Sequence, residues 1–599
     1  MRRRIMALVT MWLLVTALGV PVAPAQISSE PEAPDVQRVA GSDRIGTAVA
    51  LSRVTFDSAS TVVLVRADAF PDALTAGPRA AEVGGPVLLT DGRTLRDDVR
   101  SELERLGAQT VLVLGGEEAV SDSVLEDLGS EVSHSRIAGE DRYETSAAVA
   151  AELPEADGVV VATGEDFPDA LAAGPMAALL GWPLLITEQD ALPAATRAVL
   201  DERQPTEVLL VGGESAVGAS VADDLAAVAP VRRIAGSNRY ATAAAVQSAA
   251  MERGADPTVL TVATGRDFPD ALAVGPAVAA RGGSLLLVDG ADLREPLEVA
   301  LRIRSQVAEE RTTTVQVLGG TAAVTDDVEW QIPTITTGSE LPGGGFTLFP
   351  RNRMVAFYGN HSTAGLGVLG EQPTDAAYDR LLDQAEPYEA GTRQVLPTFE
   401  LIVSVATAAA GPDGDYSAPS TPEQIQPWLD AARRNGAYLV LDLQSGRTDF
   451  LTEARRYEEF LRQPDVGLAL DPEWRLDPGE TPTGNVGEVD AAEVNAVAEY
   501  LSGLVREERL PQKLLVVHQF QIRMVENRDA IINPPELAVT FHMDGQGRQA
   551  VKLDTYRFIS DDTGRWANGF KLFYDEDPDL FTPAEVLALD PVPDFISYQ

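Results

Sequence analysis

The chain has 599 residues, 45% of them apolar, and no cysteine. That length exceeds one core and implies about three to five domains, and the missing cysteine excludes disulfides and thiolate metal sites. A net charge of −44, with Lys513, Lys552 and Lys571 as the only lysines, opposes binding to nucleic acid or anionic membranes, because like charges repel.

Arg2, Arg3 and Arg4 precede an apolar stretch from Ile5 to about Val20, and Ala23-Pro24-Ala25 follows. This order predicts a signal peptide over residues 1–25, cut after Ala25. The stretch is shorter than the ~20 apolar residues of a spanning helix. A secreted mature chain, free of the membrane after cleavage, is therefore expected, as in many exported Gram-positive proteins.

A unit of about 97 residues then occurs three times. It opens with Arg38-Val39-Ala40-Gly41, Arg136-Ile137-Ala138-Gly139 and Arg233-Ile234-Ala235-Gly236. A second arginine follows at Arg44, Arg142 and Arg239, then a threonine at Thr47, Thr145 and Thr242. An apolar run leads into Phe70-Pro71-Asp72-Ala73-Leu74, Phe167-Pro168-Asp169-Ala170-Leu171 and Phe268-Pro269-Asp270-Ala271-Leu272. Proline suits the first helical position and aspartate the first turn, so this motif predicts a strand passing into a helix. Two further apolar runs follow, the last entering Gly115-Gly116, Gly212-Gly213 or Gly319-Gly320. Unbroken apolar runs predict parallel strands covered on both faces. Each unit reads as a doubly wound α/β domain of three strands, at 37–132, 133–230 and 231–333. Three such domains without linkers are expected to pack with rough threefold symmetry.

The ordered set of Arg-x-Ala-Gly, second arginine, Phe-Pro-Asp-Ala-Leu and Gly-Gly, met three times, resembles the cell-wall-binding repeats of type 2. Those occur in exported proteins of clostridia, bacilli and actinobacteria. The resemblance implies a pseudo-trimer of Rossmann-like domains that holds the protein on the cell wall by contact with an anionic secondary polymer or peptidoglycan. Arg38, Arg44, Arg136, Arg142, Arg233 and Arg239 are candidate polymer ligands, since guanidinium groups bind phosphate and carboxylate bidentately. Arg44, Arg142 and Arg239 have an alternative, pairing with the Phe-Pro-Asp-Ala-Leu aspartates to join neighbouring domains. No nucleotide-binding motif is present, and no cofactor or metal is expected.

Residues 334–350, with Gly343-Gly344-Gly345, read as a linker. Eight apolar runs separated by helical patterns fill residues 351–599, the size of a (β/α)8 (TIM) barrel. They are 354–358, 401–405, 438–443, 466–470, 514–517, 537–541, 570–574 and 594–598.

Chemistry in such barrels sits at the carboxyl ends of the strands. Those ends carry Tyr358 and His361, Asp442 and Gln444, Asp471, Glu473 and Trp474, His518 and Gln519, His542 and Asp544, and Tyr574 and Asp575. Asp471 and Glu473, two apart on a strand, share a face. With Asp442 they are the candidate catalytic carboxylates of a glycoside hydrolase. Asp471-x-Glu473 followed by Trp474 is similar to the glycoside hydrolase family 25 muramidases, although the first strand does not follow that pattern. Tyr358, His361, Trp474, His518, Gln519, His542, Asp544, Tyr574 and Asp575 are candidate substrate contacts on a wall glycan. Two alternatives stand beside this one. His361, His518 and His542 with Asp442, Asp544 or Asp575 could hold a hydrolytic metal, or the barrel could only bind carbohydrate or protein.

Overall fold

The computed structural model describes residues 32–68, 70–308, 312–391, 393–482 and 486–599. The segment read as a signal peptide lies outside the described residues. Among the described residues no helix is long and apolar enough to cross a membrane.

The apolar runs of the repeats form strands because each can be buried on both faces. Val62, Val63, Leu64 and Val65 are all fully buried, as are Leu209, Leu210 and Val211. Three parallel sheets result, each of four strands rather than three. The first runs Val87–Thr90, Thr61–Arg66, Thr110–Leu114, Ser133–Ile137. The second runs Leu184–Thr187, Gly158–Thr163, Glu207–Val211, Val231–Ile234. The third runs Ser284–Val288, Val259–Thr264, Thr314–Leu318, Asp35–Val39.

The fourth strand is the Arg-x-Ala-Gly opening of another repeat. Ser133–Ile137 extends the first sheet, Val231–Ile234 the second, and Asp35–Val39 returns to pair with Thr314–Leu318. The exchange closes the three units into a ring. It escapes a search for apolar runs because these edge strands are largely exposed, with only Ile137, Ile234 and Val39 buried.

The helices that follow the Phe-Pro-Asp motifs, Ala76–Glu82, Pro168–Leu180 and Val274–Arg281, pack on one another at the centre. Phe70, Phe167 and Phe268 form a triangle there, with centroids 5.9, 5.5 and 5.7 Å apart in edge-to-face or tilted contact. Aromatic quadrupoles favour this geometry. The pseudo-threefold axis runs through the triangle.

The stretch read as a linker is a packed seam. The helix Val328–Thr337 extends into it, and Leu341, Phe346 and Leu348 are buried. Phe346 joins the core of the repeats. Leu341 and Leu348 pack with Met354, Tyr438, Leu514 and Phe595, so they cap the amino-terminal end of the barrel. Its glycines, Gly343, Gly344 and Gly345, all have positive φ, a turn that composition alone cannot separate from a flexible tether.

The carboxyl-terminal half is a closed barrel of eight parallel strands. They are Asn352–Gly359, Gln394–Ala406, Tyr438–Leu443, Val466–Leu470, Lys513–Gln519, Leu537–Met543, Ala567–Leu572 and Phe595–Tyr598, here the first to the eighth. A short strand, Ser417–Pro419, adds antiparallel to the second. The seam occupies the amino-terminal end, which leaves the carboxyl-terminal mouth open.

Candidate functional site

At that mouth a cavity of about 560 Å³ is lined by Tyr358, Gln444, Glu473, Trp474, Asp544, Lys571 and neighbours. Its floor is a buried ionic network. His518, on the fifth strand, has Nε2 3.1 Å from Glu400 Oε1 and 3.2 Å from Asp442 Oδ2, and Nδ1 2.9 Å from Asp544 Oδ2. Lys571 Nζ lies 3.1 Å from the same Asp544 oxygen and 3.4 Å from the centroid of the Tyr358 ring. Burial would lower the His518 pKa, but its hydrogen bonds to Asp442, Asp544 and Glu400 carry it well above the usual value.

Glu473 and Asp544 share the cavity yet are driven in opposite directions. Burial first, then the Asp544 charge, pushes Glu473 up to about 7. Burial also acts on Asp544, but Lys571 and His518 overcome it and hold its carboxyl far below the carboxylate range. One oxygen from each of Asp471, Glu473 and Asp544 falls within 4.8 Å of the others. Near neutral pH Glu473 therefore keeps its proton in a large share of molecules, beside an ionised Asp544.

Asp471 and Glu473 meet by a route other than a shared strand face. The fourth strand ends at Leu470, and Pro472–Trp474 form one 3-10 turn that swings Glu473 into the cavity. Asp471 stays beneath, 1% exposed, where burial, Glu473 and Asp442 raise its pKa well above normal. Its Oδ2 accepts a long hydrogen bond from Gln444 Nε2, 3.5 Å away. Asp442 is also fully buried under the cavity floor, and its pKa is raised chiefly by burial.

The remaining candidates divide. Tyr358, Trp474 and Asp544 line the cavity, whereas His518, Gln519 and His542 lie buried below it. His542 Nε2 is 2.7 Å from Ser597 Oγ, and Gln519 Nε2 donates to the carbonyls of Gln521 and Ile522. His361 is half-buried and bonds Ser420 Oγ at 3.2 Å. Tyr574 stacks on Tyr598 and donates to Gln384, and Asp575 is exposed. Among the described residues, the groups able to converge on one ion are Glu400, Asp442 and His518, and Asp471, Glu473 and Asp544. Neither contains His361, His542 or Asp575.

Glu400 and Lys571 were absent from the sequence-based candidates. Glu400 sits inside the second strand, which begins at Gln394 rather than Leu401. A signal for Lys571 existed in the sequence, whose three lysines all fall in the barrel half; the structure buries all three, at 1, 1 and 2% exposure. A lysine is rarely buried without a partner.

In the repeats, the first arginine of each unit is occupied. Arg38 donates to the carbonyls of Gly319, Val324 and Thr325, Arg136 to Gly115, and Arg233 to Gly212 and Val217. Each clamps the glycine turn of the sheet that its strand completes. The second arginines bridge repeats. Arg44 lies 3.6 Å from Asp267, Arg239 lies 3.8 Å from Asp166, and Arg142 covers the Phe70 ring at 5.9 Å. For Arg44 and Arg239 these partners are the aspartates just before phenylalanine, and the charges of Arg142, Arg239 and Arg44 also reach Asp72, Asp169 and Asp270 after proline.

The later aspartates, Asp72 and Asp270, bond Thr145 and Thr47 of the neighbouring repeat, and burial raises the pKa of both. The same threonines, and Thr242, accept from the N–H of Gly139, Gly41 and Gly236. This explains their fixed spacing from the opening motif. Crevices open at two of these junctions. One of about 440 Å³ holds Asp43, Arg44, Thr47, Arg266, Asp267 and Asp270; one of about 300 Å³ holds Asp166, Asp169, Asn238, Arg239 and Thr242.

Residues 38–125, 136–222 and 233–329 match the family model of Cell wall binding domain 2 (CWB2). The chain is 30% identical over 347 residues to N-acetylmuramoyl-L-alanine amidase LytC of Bacillus subtilis (strain 168), covering 57% of this chain and 66% of that protein. It is 32% identical over 292 residues to the Amidase enhancer of the same organism, covering 49% and 39%. The chain thus spans less than two thirds of either relative. Cwp6 from Clostridium difficile is similar at 20% identity and a TM-score of 0.48, over 68% of this chain and 63% of that one. Cwp8 from Clostridium difficile is similar at 26% identity and a TM-score of 0.45, over 51% and 52%. The ring of exchanged sheets between residues 38 and 329 is built from three tandem repeats of the cell wall binding domain 2 family.

Proposed function

We propose that the protein is exported, attaches non-covalently to the cell wall through its three repeats, and presents a barrel that hydrolyses a wall glycan. Wall attachment is supported by the family match and by the relatives' names, a muramoyl-alanine amidase and an amidase enhancer. Arg44 and Arg239, which line the crevices between repeats, are the better polymer ligands. Arg38, Arg136 and Arg233 serve the fold.

The observation that carries the catalytic reading is the pair Glu473 and Asp544, on one cavity with opposed protonation. Glu473 protonates the leaving oxygen. Asp544, kept ionised by Lys571 and His518, attacks or stabilises the anomeric carbon. The close approach of their oxygens matches retaining enzymes, whose carboxyl groups lie ~5 Å apart. Asp471 and Asp442 set the charge around the pair from below. Trp474 and Tyr358 offer aromatic surface to a sugar.

The test is release of reducing ends from purified wall glycan by the full chain. Wild type is expected to release them, and Glu473→Gln to lower the rate by at least about 100-fold, since an amide cannot donate the proton. Absence of release by wild type refutes hydrolysis and leaves a binding barrel. Loss of wild-type activity on chelation would instead favour a metal on the Asp471, Glu473 and Asp544 oxygens.

A further inference from the structure

The three most exposed large apolar side chains among the described residues lie together beside the barrel mouth. Ile522 is 69% exposed, Phe558 68% and Val551 57%. Val551, Thr555 and Phe558 occupy one face of the helix Gln549–Ile559, spaced four and three residues apart, while Lys552, Tyr556 and Ile559 point into the barrel. Ile522 projects from the 3-10 turn after the fifth strand. Ile522, Val551, Thr555 and Phe558 line a shallow depression of about 210 Å³ with Phe520 and Asp554.

The depression continues the site. Phe520, Val551 and Thr555 line both it and the 560 Å³ cavity of Glu473 and Asp544. An amphipathic helix of a barrel ordinarily turns its apolar face inward. This one also has an apolar outer stripe that ends at the cavity rim. Covering such a stripe releases water from apolar surface, which favours binding.

We propose that Ile522, Val551 and Phe558 form a distal subsite that binds the continuation of a polymeric glycan whose cleaved bond lies over Glu473 and Asp544. The proposal rests on the glycan reading of the barrel. The subsite presents aliphatic and aromatic groups beside the Asp554 carboxylate and the Thr555 hydroxyl. It therefore suits the C–H faces of pyranose rings and the methyl groups of N-acyl sugars. It makes the protein selective for long chains over short ones.

The experiment uses the full chain carrying Glu473→Gln, to prevent turnover, and linear N-acetylated glucosamine oligomers as probes. Affinities for a disaccharide and an octasaccharide are measured by calorimetry, with and without Phe558→Ala and Ile522→Ala. The expected result is tighter binding of the octasaccharide, and a loss of about tenfold on the double substitution. Disaccharide binding is expected to stay unchanged. Both positions are exposed, so an unaltered melting temperature checks the fold.

Equal losses for both oligomers, or none, overturn the subsite while leaving hydrolysis intact. Length-dependent binding lost on substitution, in a protein that releases no reducing ends, upholds the subsite and overturns hydrolysis. Dimerisation of wild type that disappears in Phe558→Ala, with oligomer affinity unchanged, assigns the patch to self-association and overturns the proposal.

Discussion

Glu473 is the acid of the proposed mechanism, and its protonation yields two predictions. With a pKa of about 7, it is protonated below that pH, the form the proposed mechanism requires. kcat/KM is therefore expected to fall tenfold per pH unit above about 7. An apparent pKa near 4.5 in the rate profile would remove Glu473 from the acid role.

The same shift acts on stability. A carboxyl whose folded pKa is raised keeps its full contribution below its unfolded value, near 4.5, and loses it as pH rises through about 7. Glu473→Gln escapes that loss. It is expected to raise stability by on the order of 2 kcal/mol at pH 8 and to change it little at pH 4. Denaturant midpoints at the two pH values check the sign. Asp544 behaves oppositely, because Lys571 and His518 depend on its charge. Asp544→Asn leaves two buried cations short of a partner and is expected to destabilise the fold by about 3 kcal/mol.

At the scale of elements, the central helices of the repeats approach so closely that only glycine fits at position 275. A Cβ on Gly275 would stand 2.8 Å from Gly77 Cα, and the φ there is ordinary, so the constraint is space rather than conformation. Gly275→Ala must push two backbones apart and is expected to cost about 1–3 kcal/mol. A thermal shift of wild-type size in this variant would show that the axis is loosely packed. The glycine turns carry a second constraint. Gly115, Gly212 and Gly319 have positive φ, and a Cβ on each would stand 2.7, 2.6 and 2.5 Å from the carboxylates of Asp72, Asp169 and Asp270. A side chain there would meet both strain and a clash.

At the scale of the whole molecule, the two halves are joined by more than a chain crossing. Arg294 is wholly buried, pairs with Asp292, donates to the Pro535 carbonyl of the barrel at 2.7 Å, and lies 4.7 Å from the centroid of the Trp330 ring. Arg294→Ala is expected to separate one calorimetric transition into two, with the seam weakened by about 3 kcal/mol. Attachment belongs to this scale as well. Residues 26–335 are expected to co-sediment with wall sacculi, and residues 351–599 far less. Binding through crevice arginines should weaken as salt rises, because exposed charges are screened beyond ~8 Å at physiological ionic strength. Salt-insensitive binding would point to sugar stacking instead.

The sequence by itself determined the repeats and most of the strands, because each rests on local chemistry. Val62 to Val65 cannot avoid burial, Pro168 and Asp169 start a helix wherever they stand, and Val466 to Leu470 ends beside Asp471 and Glu473 in any barrel. Three things were decided by tertiary structure alone. The opening motifs became edge strands of neighbouring sheets, a pairing set by which edge is vacant and not by the polarity of their residues. The glycine-rich stretch became a packed seam because Leu341 and Leu348 meet the open amino-terminal end of the barrel. The carboxyl set beside Glu473 became Asp544, from a different strand, and its ionisation is fixed by the charges that reach it through space. Here those are Lys571 and His518, and no spacing along the chain records them.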